Sequence, residues 1–272
     1  MKRIEGGICA VPGVRAAGAR QGKYGVAIIA ASGAAAGMFT TNKIRAAPLD
    51  VTAEHLSEGR LDGIIANSGC ANAYTGPRGL EDARAMAGLL AGFLGTDKGH
   101  IAVGSTGVIG RYMDMATISR LFEEAGSRLR SDSGASEEAA RAIMTTDTKV
   151  KEIAVEHEGL RVAGIVKGAG MIEPNMATML CFLYTDADMP AQALRECLAD
   201  AVKDSFNMLT VDGDTSTNDT VLLTATGKTK AKANVQAFKE ALRYVCVELA
   251  RMMARDGEGA SKYFETVVSG AK

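Results

Sequence analysis

Apolar positions along the chain follow two periods. Short apolar runs at Tyr24 to Ala31, Gly63 to Ala66 and Ile101 to Val103 have the length of strands. Longer stretches repeat their apolar positions every three to four residues. They predict helices over Leu80 to Leu94, Met113 to Leu129, Ser136 to Met144, Pro190 to Phe206 and Val235 to Arg255. Ser136 ahead of Glu137 and Glu138 reads as an N-cap, Pro190 as a first helical position and Gly257 as a C-terminal stop. Ile153 to Glu156 and Leu160 to Val166, joined by His157-Glu158-Gly159, predict a hairpin that delivers Lys167 to a glycine-rich bend. Thr178 to Tyr184 predicts a further strand. The expected class is mixed α/β with layered sheets, and no internal repeat, low-complexity segment or linker breaks the pattern.

Composition narrows this picture. With 272 residues, 47% of them apolar, the chain can bury a core for one large or two moderate domains. Thirty-one glycines and no Trp point to close packing through small residues. The charge balance, 31 basic against 32 acidic residues with no basic run, argues against nucleic acid or an anionic membrane and for a small soluble substrate. No stretch has signal-peptide or bilayer-spanning length, so a cytoplasmic protein is expected. Cys9, Cys70, Cys181, Cys197 and Cys246 are odd in number and lack C-x-x-C spacing, which points to neither a disulfide frame nor a zinc site. Of these only Cys70, in a polar glycine loop, is a candidate reactive thiol. His55, His100 and His157 fall in no triad or metal spacing and are expected at the surface.

The segment from Lys167 to Leu180 carries candidate chemistry. Gly168, Gly170 and Pro174 bend the backbone, and the small Ala177 leaves its carbonyl open to the Thr178 hydroxyl. Attack there would move the Ala177 acyl group from nitrogen to oxygen, and hydrolysis of the ester would leave a second chain beginning at Thr178. Its new α-amine, with a reference pKa of about 7.7–8.0, could serve as base for its own Oγ. The same residues also fit the ordinary start of a buried strand. Acyl transfer needs donors for the negative oxygen of the tetrahedral intermediate, and Ser105-Thr106-Gly107 can supply a hydroxyl and a glycine amide. A plain strand-to-helix turn is the competing reading.

Lys167 can reach back to pair with a substrate carboxylate, assist self-cleavage, or stand solvated in its loop. Glu258, between Gly257 and Gly259, is placed for a ligand amine or for a charged helix-end loop. Asp212 to Asp219 alternates acidic and polar residues, but Thr217 and Leu223 stand where a calcium loop needs Gly and Glu. It reads instead as a turn rich in side-chain-to-backbone hydrogen bonds.

Six blocks occur in order: Asn67-Ser68-Gly69-Cys70-Ala71-Asn72-Ala73, Gly104-Ser105-Thr106-Gly107-Val108-Ile109-Gly110, Thr145-Thr146-Asp147-Thr148, Lys167 to Leu180, Val211 to Asp219, and Asp256-Gly257-Glu258-Gly259-Ala260. In them the chain resembles the ornithine acetyltransferase family of arginine biosynthesis. The resemblance implies a layered α-β-β-α sandwich and cleavage between Ala177 and Thr178. That cut yields an α chain of residues 1–177 and a β chain of 178–272, two of each forming a heterotetramer. It further implies Thr178 as nucleophile, Thr106 and Gly107 as oxyanion hole, and Thr145, Lys167, Thr178 and Glu258 as substrate-binding residues. Adjacent Thr146 leaves the register at Thr145 open by one. The implied reaction moves acetyl from N2-acetylornithine to glutamate through an acetyl-threonine, without cofactor or metal.

Whether acetyl-CoA also serves as donor is left open, as are two rival readings: a self-cleaving aminopeptidase or amidohydrolase, and an inactive fragment or interaction domain. Two departures stand out. Cys70 occupies a position where Asn is usual in the family, and family members continue past Lys272 into a segment that supplies an Asn and a Thr to the substrate. Truncation there is expected to lower transfer more than cleavage.

Overall fold

The computed structural model describes residues 1–173, 179–229 and 234–270. In chain order, β1 (Lys2–Ile4), β2 (Arg15–Gln21) and β3 (Tyr24–Phe39) lead into α1 (Ala47–His55), β4 (Arg60–Ser68), α2 (Gly76–Leu94), β5 (Ile101–Ser105), α3 (Met115–Gly126) and α4 (Ser133–Ile143). The hairpin of β6 (Lys151–His157) and β7 (Leu160–Lys167) follows, then β8 (Leu180–Thr185), α5 (Ala191–Lys203), β9 (Thr220–Ala225) and α6 (Val235–Arg255).

The strands form one continuous mixed sheet in the order β1-β6-β7-β8-β9-β3-β4-β5, with β2 also on β3. β3 is where it folds over. Residues 24–30 pair with β2 and β4, the register to β4 shifts between Ala30 and Gly33, and residues 34–39 pair with β9. A bulge bends a strand and increases its local twist, which lets β3 belong to two limbs. Side chains alternate accordingly. Leu180, Phe182 and Tyr184 of β8 meet Ile29, Ile64 and Ala102 of the other limb in the inner layer, whereas Cys181 and Leu183 face outward into the cluster that α5 and α6 close. On the opposite outer face Ile28, Ile65 and Val103 pack under α2 and α3. The layers therefore run α-β-β-α, as the sequence blocks implied. Truncating Phe182 at the centre to Ala would cost about 3–5 kcal/mol.

Local signals locate several elements closely. α6 has the bounds its periodicity predicts, and the β6–β7 turn places Glu158 and Gly159 at φ 47° and 80°, as a two-residue type I′ connection requires. Other ends move. Asp132 caps α4, accepting from Ala135 N at 2.9 Å, while Ser136 lies buried inside the helix. Its Oγ accepts from Ile8 N at 3.0 Å and donates to Glu152 at 2.6 Å, a tertiary use that a local capping pattern cannot reveal. Pro190 is the N-cap of α5, one position outside the expected start. β3 is twice its predicted length because the Ala/Gly run at 33–37, poor in intrinsic strand preference, is held extended by β9 from Ala34 onward.

All five cysteines are free, and Cys70 is not the reactive thiol considered above. Burial pushes its thiol up, and Sγ lies 3.3 Å from the Arg111 carbonyl, so it packs as a protonated turn residue. The histidines are half-buried at the surface, His55 against the Ile101 carbonyl at 2.7 Å and His157 against Glu240 at 3.2 Å.

Candidate functional site

β5 ends in a turn built around Gly107, whose φ of 128° disfavours any L side chain. A Cβ there would stand 2.5 Å from the Gly69 carbonyl carbon and 2.7 Å from Cys70 N, so only glycine lets the turn lie against the β4 loop. Thr106 N donates to Asn67 O at 3.0 Å and Ala71 N to Val108 O at 2.9 Å. Asn218 locks both segments from the other limb, its Nδ2 donating to Ala71 O at 2.7 Å and Ser105 O at 2.9 Å. The Thr106 amide is thereby consumed. Two donors are left, the Thr106 hydroxyl and the Gly107 amide, which has no backbone acceptor among the described residues.

Lys167, the last residue of β7, is 2% exposed and pairs in register with Leu180 of β8. Its Nζ donates to Thr106 Oγ1 at 3.2 Å. Behind it lies a buried ionic chain. Asp147 accepts from Lys151 Nζ at 2.7 Å, Gly168 N at 2.7 Å and Thr145 N at 3.1 Å. Lys151 continues to Asp256 at 2.6 Å, and Asp256 accepts from Thr148 N at 3.0 Å and from the Thr148 hydroxyl. Asp256 caps the end of α6, two residues before Glu258. The Glu258 amide bonds Ala169 O at 2.7 Å, and its Oε2 lies 2.5 Å from where a Gly170 Cβ would stand. A bare glycine backbone is what lets the carboxylate lie over this bend.

The electrostatics follow from burial and pairing. Burial pushes the Lys167 ammonium below its usual range, against the opposing pull of Asp147. For Asp147 burial acts upward, but Lys167 and Lys151 outweigh it and hold the carboxyl below the usual range. Asp256 is likewise held down, by Lys151 and Thr148 against burial. The glycine bend is fastened on its far side too, since Asp212 accepts from Met171 N at 2.6 Å and Ile172 N at 2.8 Å. The 211–219 turn is thus rich in side-chain-to-backbone bonds, as expected.

The structure brings Thr106, Gly107 and Lys167 together and sets Glu258 on the same bend. Thr145 is half-buried beside Asp147, while Thr146 is exposed. Ala177 and Thr178 lie outside the described residues. On the Thr178 side the description resumes at Met179, whose amide donates to Asp219 Oδ1 at 3.0 Å. Sequence reasoning gave no role of their own to Asp147, Lys151 and Asp256, and read Asn218 and Asp219 only as parts of the 212–219 turn. The spacing of Asp147 and Lys151 by four was visible, but they are joined across a loop and a strand, and nothing local announces that both are buried.

Residues 12–272 match the profile of the ArgJ family. The chain belongs to the ArgJ family. It is 53% identical over 277 positions to the glutamate N-acetyltransferase of Methanosarcina mazei, an alignment covering 100% of this chain and 70% of that protein. The arginine biosynthesis bifunctional protein ArgJ of Archaeoglobus fulgidus is 49% identical over 96% of this chain and 68% of its own length. The solved ornithine acetyltransferase of Mycobacterium tuberculosis, complexed with ornithine, is 35% identical with a TM-score of 0.59 over 64% of this chain and 96% of that one. A Burkholderia sp. β-aminopeptidase superposes with a TM-score of 0.60 over 94% of this chain at 14% identity, a likeness of fold. The β5 turn, the Asp147 loop, the 211–219 turn and the end of α6 converge on the Lys167 bend.

Proposed function

We propose that this ArgJ-family chain cleaves itself between Ala177 and Thr178 and then moves acetyl from N2-acetylornithine to glutamate through an acetyl-Thr178 intermediate. The observation that carries this reading is the Lys167–Thr106 contact, which places a donor pair and an ammonium at the strand end paired with Leu180, two positions after Thr178.

In the transfer step the Thr178 α-amine takes the hydroxyl proton as Oγ adds to the acetyl carbonyl. The oxyanion is met by the Thr106 hydroxyl and the Gly107 amide. Ornithine leaves with the proton held by the amine, and the glutamate amine then attacks the ester through the same tetrahedral geometry. Lys167 pairs with the substrate carboxylate, Glu258 receives the side-chain ammonium of ornithine, and Thr145 contacts the substrate from the Asp147 loop. One amide replaces another, so neither metal nor cofactor is required; acetyl-CoA would enter only as an alternative donor.

Cleavage leaves the two chains joined. Residues 178–272 carry β8 and β9, which lie between β7 and β3 of the first chain, so separation would tear two strand pairings and the inner layer. Two such units forming a heterotetramer, and a cytoplasmic site of action, belong to the same proposal. Among the described residues no helix is long and apolar enough to cross a membrane.

The test has two parts. Intact mass under denaturing conditions should give fragments 1–177 and 178–272, and a single chain for Thr178→Ala. Ornithine release from N2-acetylornithine should depend on added glutamate; release without an acceptor would make the protein a hydrolase, and an intact parent chain would refute the Thr178 reading.

A further inference from the structure

Three ionised side chains, Asp147, Lys151 and Asp256, tie the glycine bend to the segments on either side of it, and their exposures are only 0%, 1% and 5%. Asp147 Oδ1 accepts from Lys151 Nζ and Gly168 N, both at 2.7 Å, and Oδ2 accepts from Thr145 N at 3.1 Å. It therefore fixes the backbone beside Lys167 and the loop before β6 together. Lys151 carries the tie onward to Asp256 at 2.6 Å. Asp256, the C-cap of α6, also accepts from Thr148 N at 3.0 Å, Lys149 N at 3.4 Å and the Thr148 hydroxyl, which sets the end of α6 against the same loop.

Glu258 follows two residues later. Its amide bonds Ala169 O at 2.7 Å and its carboxylate lies over Gly170. Gly170 is the middle of a bend that Asp147 holds at Gly168 and Asp212 holds at Met171 and Ile172. One end of the ionic chain thus places Lys167 and the other places Glu258, and the two ion pairs that join them are buried. Buried ion pairs add little stability over well-packed apolar side chains, and their best-attested use is to fix one arrangement among several. A diamino acid presents a carboxylate and a terminal ammonium separated by a set number of methylenes. Two receptors of opposite charge at a fixed separation select that number, because each added methylene displaces the ammonium from its partner.

We propose that Asp256, acting through Lys151 and Asp147, is a positioning residue that sets the separation of Lys167 and Glu258 and so makes the site select diamino acids by chain length. The inference rests on the reading above, in which Lys167 takes the substrate carboxylate and Glu258 the side-chain ammonium. Asp256 itself touches no substrate.

Competition between N2-acetylornithine and N2-acetyllysine, which differ by one methylene, measures the selection as a ratio of kcat/KM. That ratio is independent of how much of the protein is active, so a merely structural loss leaves it unchanged. The parent should prefer N2-acetylornithine by roughly 10–200-fold, and Asp256→Asn, which removes the charge that holds Lys151, should lower the preference by roughly 10-fold or more. If Asp256→Asn does not fold, Thr148→Val, which lacks the hydroxyl bond to Asp256, should lower it by roughly 3-fold or more. An unchanged ratio in a folded variant overturns the inference, as does a parent that uses both substrates equally. Glu258→Asp, which draws the carboxylate back by one methylene, tests the underlying reading, and the preference should move toward N2-acetyllysine. If it moves there but not in Asp256→Asn, the functional reading stands and the positioning role fails. If Glu258→Asp does not move it, or the parent is inactive on both substrates, the functional reading fails and this inference with it.

Discussion

Lys167 and Thr106, 61 positions apart, meet in a buried hydrogen bond of 3.2 Å that joins the end of β7 to the turn after β5. An ammonium only donates, so the Thr106 oxygen accepts and its own proton is free to turn toward a third atom. The contact thus orients the hydroxyl as a donor instead of consuming it.

Thr106→Ala should lower kcat by roughly 10²–10³, equivalent to about 2.7–4 kcal/mol, with a smaller change in KM, because the bond strengthens as the oxyanion develops. Thr106→Ser keeps the hydroxyl and should retain most of the rate. Steady-state kinetics on cleaved, folded protein decides; unchanged kcat in the alanine variant would remove Thr106 from the mechanism.

Gly107→Ala combines a positive φ with a collision against the Gly69–Cys70 backbone. Stability should fall by more than the ~1 kcal/mol typical of compatible glycine changes. Activity should fall with it because the turn cannot keep its place. Urea denaturation and kcat are both read, and a variant as stable as the parent would contradict the turn geometry.

Lys151→Ala strands Asp147 and Asp256 without their shared cation, and breaking such a buried pair costs about 3–5 kcal/mol. Arg141→Ala, which removes an exposed pair with Glu137, should cost no more than about 1 kcal/mol. Chemical denaturation of both variants checks the contrast, and similar losses in the two would mean that the Lys151 network is not a special support of the bend.

The pH dependence follows from the direction of each shift. Asp147 and Asp256 are held low in the folded state, so their contribution is present above the unfolded value of about 3.9 and is lost as pH falls through the folded one. Asp219 is held high, so its contribution is present below the unfolded value and is lost as pH rises through the folded one. The stability gap between parent and Asp147→Asn should narrow on acidification, whereas Asp219→Asn should flatten the decline that sets in as pH rises above the unfolded carboxyl value. Denaturant midpoints across pH measure both, and a gap independent of pH would contradict the assignment.

Much of the fold was legible because it rests on local rules. The apolar run of β8, the span of α6 and the Glu158-Gly159 turn are each specified by neighbours in sequence, through hydrophobic patterning and backbone dihedral preference. The ordered blocks likewise pointed to Thr106, Gly107, Lys167 and Glu258 before any coordinate was known. Tertiary structure alone decided the doubling-over of the sheet at β3, where an Ala/Gly run with little strand preference is extended by pairing with a strand nearly two hundred residues away. It also decided the ionic chain behind Lys167. Lys151 reaches Asp256 across 105 positions and Asp219 reaches Met179 across 40, and in each case the deciding quantity is burial. A charged residue carries the same letter in water and in the core. Only the packing of the two limbs sets its desolvation and supplies, or withholds, the partner that decides its protonation.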